Sequence, residues 1–193
     1  MTEDIDGGID EGTGVRLRPL REGDAPRLLE MLHDPDQQRW GSPAFVPLPA
    51  DVAELAERIA ASSRAWADRQ PGTLAITDAD DVFLGDISWR WSASERMAVA
   101  DLGYVVHPDA RGRGVGRRAI VLLTRWLMDP DGRGLARVQL DHSTENEASC
   151  RVALAAGFER EGVRRGFLPL RGPDGVVRRH DVCLHGTVVQ PTG

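Results

Sequence analysis

The segment from Tyr104 to Arg118, YVVHPDARGRGVGRR, constrains the fold more than any other part of the chain. A strand-like run ends at Val106. Pro108 turns the chain, and a glycine-rich turn leads into the clearest helical pattern in the sequence. Val115, Ala119, Leu122, Leu123, Trp126 and Leu127 share one face, which predicts a helix over 115–128 buried along one side. The first amides of a helix have no partner inside it and carry the positive end of its dipole. Glycines let a bound group approach the backbone closely. Arg111, Arg113, Arg117 and Arg118 add charge against a single acid, Asp109. Together these features point to a site for phosphate or pyrophosphate. Two plainer roles compete: Gly112, Gly114 and Gly116 as a tight turn, and the arginines as a solvated face. The G-x-G-x-G spacing and the position past mid-chain fit a dinucleotide-binding unit poorly.

Composition narrows the chemistry further. Of the 193 residues, 24 are basic, and every one is arginine. Without lysine there is no ordinary P-loop NTPase, no Schiff-base or usual pyridoxal phosphate chemistry, and no protein kinase. A GC-rich coding sequence is the plainer cause of the arginine bias. The net charge of −6 argues against general nucleic-acid binding. Much of that charge sits in residues 1–14, which hold Glu3, Asp4, Asp6, Asp10 and Glu11 and no base. Few apolar residues accompany them, so a disordered acidic tail is expected. Cys150 and Cys183 form neither a disulfide framework nor a zinc spacing. No cationic start precedes an apolar stretch, and no run of about 18 apolar residues spans a membrane. A soluble cytoplasmic protein without membrane or nucleic-acid partners is expected.

The rest of the chain reads as one domain over 15–187, with a short tail at 188–193. Val15 to Pro19 alternates like a strand. Asp24 is placed to cap a helix whose first turn tolerates Pro26. Residues 34–49 read as a proline-rich loop with Trp40 and Phe45, and 51–68 as a helix. Strands are expected at 73–77, 82–91, 98–106, 136–140, 158–164 and 176–185, with a helix over 146–156 stopped by Gly157. This order predicts one mixed sheet with helices on its faces, an α/β (α+β) architecture.

Two motifs resemble the GCN5-related N-acetyltransferases (GNAT). Val106-x-Pro108-x-x-Arg111-Gly112-x-Gly114-x-Gly116 is similar to their acetyl-CoA signature, and Asn146-Glu-Ala-Ser149 with Ala156-Gly157-Phe158 to their second motif. Leu102-Gly103-Tyr104 and Asp174-Gly175…Arg179-His-Asp181-Val resemble the RimJ/RimL-like branch. The resemblance covers about Val15 to Gly186. It implies a mostly antiparallel sheet of about six to seven strands, splayed at the acetyl-CoA site and flanked by helices. It also implies direct acetyl transfer from acetyl-CoA to a primary amine, either a protein N-terminus or a small amine, and it allows a homodimer. The alternative is an acyl-CoA-binding sensor or interaction module that lost the chemistry.

On this reading the amides of Arg111, Gly112, Arg113, Gly114, Val115 and Gly116 hold the pyrophosphate, with Arg111, Arg113 and Arg117 as charge partners. A bulge over Tyr104, Val105 and Val106 would free backbone groups for the pantetheine arm and the acetyl oxygen. Asn146 matches a CoA-contacting asparagine, while Thr144-x-x-Glu147 reads as a capping box. Many family members take the acid from a tyrosine four residues before the glycine of Gly-Phe, a position held here by Ala153. The branch has a serine at Ser149, the candidate for stabilising or protonating the leaving thiolate. Its plainer role is a first-turn hydrogen bond to backbone. Asp101 is the candidate base, ahead of Glu95, Asp181 and His142, and a water chain would serve as well. His180, Cys183 and His185 suggest a metal, but His180 points opposite to the other two on a strand, so no metal is expected.

Overall fold

A computed structural model describes residues 2–4, 8–10 and 12–189. Strands β1 (Thr2–Asp4), β2 (Gly8–Asp10), β3 (Arg16–Pro19), β4 (Gly72–Thr77), β5 (Phe83–Trp91), β6 (Val99–Val106), β7 (Arg137–Ser143), β8 (Glu159–Arg171) and β9 (Val177–Val188) form one sheet. Its order is β1-β2-β3-β4-β5-β6-β7-β9-β8. Neighbours are antiparallel except β6 and β7, which are parallel. A parallel pair needs a long crossover, and helix α4 (Val115–Met128) supplies it.

α4 and α5 (Glu147–Ala155) cover one face of the sheet. There Val115, Ala119, Leu122, Leu123, Trp126 and Leu127 sink into a core with Ile87, Trp89, Ala100, Leu102, Val138 and Leu140. Helix α1 (Ala25–His33) and the start of α3 (Ala56–Ala67) cover part of the other face through Leu28, Met31, Leu32 and Ile59. The bounds of α4 are those its periodicity predicts. β7, β8 and β9 run longer than expected, because pairing along the chain's long final hairpin carries exposed residues along with buried ones.

Three expectations need correction. Residues 2–4 and 8–10, read as part of a disordered tail, are two strands at the sheet edge, and Ile9 is fully buried in the α4 core. One inward apolar residue in a three-residue strand escapes a reading by composition. The rest of 1–11 lies outside the described residues, as does 190–193. The two extra strands raise the count to nine among the described residues, against seven for β3–β9. Within 34–49, Pro35–Trp40 is a short helix, α2, capped by Asp34, whose carboxylate accepts the Gln37 amide at 3.0 Å. Asp24 precedes α1 without capping it. Its buried carboxylate takes the two terminal nitrogens of the Arg18 guanidinium, at 2.7 and 2.9 Å.

Candidate active site

At the start of α4 the three glycines answer three needs. Gly112 and Gly114 have φ of +74° and +72°, which a side chain would strain. Gly116 instead lies against β6. A Cβ there would be 2.9 Å from Tyr104 Cε2 and 3.3 Å from Val106 Cγ2, forcing helix and strand apart. The first bond inside the helix runs from the Arg118 amide to the Gly114 carbonyl (3.1 Å). The amides of Val115, Gly116 and Arg117 therefore have no acceptor within α4, while the Val115 side chain is buried in the core.

The arginines divide their tasks. Arg111 pairs with Asp34 (2.5 Å) and Asp36 (3.3 Å), and its Nε donates to the Val106 carbonyl (3.3 Å), so it ties α2 to the loop. Burial raises the Asp34 carboxyl, but the Arg111 hydrogen bond and the Gln37 amide outweigh it and hold the pKa below its ordinary value. Arg117 donates to the Ala155 carbonyl (2.9 Å), fastening α4 to α5, and Arg118 to the Arg113 carbonyl (3.0 Å). The exposed Arg113 side chain has no hydrogen-bond or ion-pair partner among the described residues.

Beside this turn the sheet opens. β6 and β7 pair from Val99↔Arg137 to Leu102↔Leu140 and no further. β6 continues with β5 to Val106, and β7 with β9 to Ser143. The His107 amide donates to the Leu84 carbonyl at 2.9 Å. Alternation along an antiparallel ladder then turns the backbone groups of Tyr104 and Val106 toward the gap. No bulge frees them, contrary to expectation: β6 matches β5 residue for residue from Ala100 to Val106. The strands diverge instead, because β7 follows β9.

Ser149 lies at this gap, in the first turn of α5 and 9% exposed. Its Oγ is 3.2 Å from the Tyr104 hydroxyl. Its amide donates to Asn146 Oδ1 (3.1 Å), so Asn146, not Thr144, caps α5. Burial lifts the Tyr104 phenol above its ordinary pKa, with the Ser149 hydrogen bond pulling partly the other way. Sequence reading had assigned Tyr104 by its backbone alone. The side-chain pairing was hidden because Tyr104 and Ser149 sit on separate elements.

Asp101 is not beside Ser149. Ala100, Leu102 and Tyr104 face α4, so Asp101, Gly103 and Val105 point to the opposite face, where Val105 joins the α1/α3 cluster. Asp101 accepts from Gln139 Nε2 (2.7 Å) and pairs with Arg90 (3.3 Å). Asp141, two residues beyond Gln139 and so on the same face, lies past the last β6–β7 pair. Burial pushes its carboxyl above the ordinary value despite its partner Arg164. No motif marks Asp141 in the sequence. Among the weaker candidate bases, exposed Glu95 pairs with Arg133 (3.5 Å) and Asp181 accepts the Gly166 amide (2.8 Å).

The histidines assemble differently from expectation. His142, Cys150 and His185 bring their ligand atoms within 4.8 Å of one another, while His180 bonds Ser143 Oγ (3.0 Å). His142 Nδ1 donates to the Ser143 carbonyl (2.7 Å), which leaves its Nε2 bare to accept from His185 Nε2 at 3.2 Å. Burial holds both rings below their ordinary pKa, hence neutral. A metal on His185 Nε2 would move that ring's proton to Nδ1, a buried atom with no partner among the described residues.

Comparison with known proteins agrees with this geometry. The acetyltransferase (GNAT) domain family matches residues 15–159. N-alpha-acetyltransferase RimI of Mycobacterium tuberculosis is 37% identical over 157 residues, covering 60% of this chain and 96% of that protein. Mycothiol acetyltransferase of Rhodococcus jostii is 30% identical over 162 residues, covering 74% of this chain and 51% of that protein. This chain thus spans about half the length of that relative. Mycobacterium smegmatis RimJ, solved in complex with CoA-disulfide, has the same fold, with a TM-score of 0.78, 20% identity, and 97% and 88% of the two chains covered. No helix among the described residues is long and apolar enough to cross a membrane.

Proposed function

Because the chain belongs to the acetyltransferase (GNAT) family, we propose that it transfers the acetyl group of acetyl-CoA directly to a primary amine, either a protein N-terminus or a small amine. The observation that carries this reading is the parting of β6 and β7 after Leu102 and Leu140, beside the open amides of α4. Pyrophosphate lies on the amides from Gly112 to Arg117, since the Arg111 amide already donates to the Pro108 carbonyl (3.4 Å), with the exposed Arg113 as charge partner and the Arg111 and Arg117 side chains bracing the turn. The pantetheine arm runs through the gap and pairs with the backbone of Tyr104 and Val106, in the manner of an added strand. Val105 points away from it and anchors the strand on the far face. Asn146 caps α5 through Oδ1, and its amide nitrogen remains to meet the cofactor.

The thioester then sits in the gap with its sulfur toward Ser149. The amine comes from the opposite face, past Gly103, which has no side chain to block it. An exposed alkyl ammonium has a pKa of about 10 and must lose a proton before attack. Asp101 and Asp141 face that approach. Asp141, with its raised pKa, is the better match to a base working near neutral pH. The amine nitrogen bonds the carbonyl carbon, the C–S bond breaks, and the sulfur leaves as thiolate against Ser149. No covalent enzyme intermediate is involved. The step uses side chains and backbone only, in a cytoplasmic setting where acetyl-CoA is at hand.

A thiol-release assay with acetyl-CoA tests this against a panel of small amines and peptides with free N-termini. Turnover on at least one amine is expected. Saturable thermal stabilisation by acetyl-CoA without turnover would instead identify a binding module, and no stabilisation would overturn both readings.

A further inference from the structure

We infer that the Tyr104 hydroxyl positions the proton of Ser149 toward the leaving sulfur. The inference rests on the acetyl transfer proposed above. Two hydroxyls 3.2 Å apart share one hydrogen bond, and either oxygen is able to donate. A phenol is far more acidic than an alcohol, so the favoured direction runs from Tyr104 O–H to Ser149 Oγ. Ser149's own proton is then turned away from Tyr104. Among the described residues, Tyr104 is the only hydrogen-bond partner of Ser149 Oγ. The remaining direction for the hydroxyl proton is the gap between β6 and α5, where the thioester is placed.

The chain Tyr104 O–H to Ser149 O–H to sulfur polarises along its length, so each bond strengthens the next. As the C–S bond breaks, its electron pair goes to sulfur and the thiolate departs hydrogen-bonded to Ser149. Sulfur takes its proton from solvent afterwards, and the proton released by the amine goes to solvent through the opposite face. Neither Tyr104 nor Ser149 changes charge. Tyr104 is therefore a positioning residue, acting through Ser149. Burial keeps its phenol protonated well past neutral pH. Other titratable groups nearby have their own partners. Arg117 on α4 is bonded to Ala155, His142 on β7 to Ser143, and Cys150 on α5 lies 3.8 Å from His185.

Gly116 packs directly beneath the Tyr104 ring, so its absent side chain also fixes where the hydroxyl points. One glycine thus serves both the helix–strand contact at the phosphate turn and the aim of the phenol toward α5.

The chain contains a single tyrosine, which makes the test specific. Uniform incorporation of a fluorinated tyrosine labels Tyr104 alone and makes its phenol more acidic. The fluorine resonance should titrate above the value for the free amino acid, and Ser149→Ala should raise that midpoint further, because on ionisation of Tyr104 the Ser149 hydroxyl reverses to donate to the phenolate. A midpoint indifferent to Ser149→Ala overturns the hydrogen bond, whether or not an acceptor amine has been found. In turnover, Tyr104→Phe should lower kcat about tenfold and leave KM for acetyl-CoA within about twofold. Adding it to Ser149→Ala should cost nothing more. The alkaline limb of the kcat profile should move to lower pH with fluorotyrosine and disappear in Tyr104→Phe. Effects of Tyr104→Phe and Ser149→Ala that multiply, or a wild-type kcat in Tyr104→Phe, refute the positioning role while leaving acetyl transfer intact. No thiol release by the wild type on any amine overturns the transfer reading itself.

Discussion

The two faces of the sheet at the β6–β7 gap are built from different materials. On the α4/α5 face, backbone amides, a backbone edge and two hydroxyls border the gap, and apolar packing holds them. On the other face, Asp101, Gln139, Arg90, Asp141 and Arg164 form a network of charged and polar side chains. The first arrangement suits a cofactor of constant shape, since backbone geometry does not vary with side-chain substitution. The second suits an acceptor that must be recognised as a cation and stripped of a proton. In the proposed transfer the amine attacks perpendicular to the carbonyl plane from one face, while the sulfur, which lies in that plane, turns toward Ser149 on the other.

The contrast can be broken first at the turn. Gly114→Glu places a strained side chain and a negative charge at the turn proposed to hold the pyrophosphate. It should weaken acetyl-CoA binding by about 100-fold or more, ~2.7 kcal/mol, in a calorimetric titration. Unchanged affinity would remove the anion site from α4. Next, Ser149→Ala should cost roughly 100-fold in kcat with little change in KM for acetyl-CoA. Equal losses in binding and turnover would make Ser149 a structural residue.

Across the sheet, Asp141→Asn should lower kcat about tenfold for the amine and leave acetyl-CoA affinity unaltered. A base with a raised pKa is protonated as pH falls through that pKa. The acid limb of the wild-type profile should thus lie above the ordinary carboxylate range and vanish in Asp141→Asn. If Asp101→Asn has the larger effect, the base is Asp101 and Asp141 only tunes it. The smallest effect is expected at Asn146. Its replacement by alanine removes the α5 cap and should cost about 1 kcal/mol of stability, seen as a lowered Tm.

The two faces also differ in how far the sequence foretold them. The turn and α4 are contiguous, and each rule they obey is local: helical periodicity, glycine freedom and unpaired first-turn amides. Arg111, Gly112, Gly114 and Gly116 could therefore be singled out together, although the distinct steric role of Gly116 needed its neighbour Tyr104. Asn146 and Ser149 were legible as a pair through the resemblance of their motif to the family, not through a local rule. The opposite face draws residues from β5, β6, β7 and β8, and no spacing in the chain relates Arg90 to Asp141 or Arg164. Ile9 escaped notice in the same way, since burial of one side chain in a short edge strand depends on α4 being there to receive it.

By itself the sequence determined the single mixed sheet, the crossover helix with its glycine-rich, arginine-flanked start, and the lack of any lysine-dependent chemistry. These follow from periodicity, composition and hydrogen-bonding capacity within short windows. The tertiary structure alone decided that β6 and β7 part after four pairs, that Tyr104 meets Ser149, and that Asp141 lies past the last of those pairs. Such facts depend on strand register and on which elements pack together. Register is a property of the whole sheet, set by the sum of many weak contacts between residues distant in the chain.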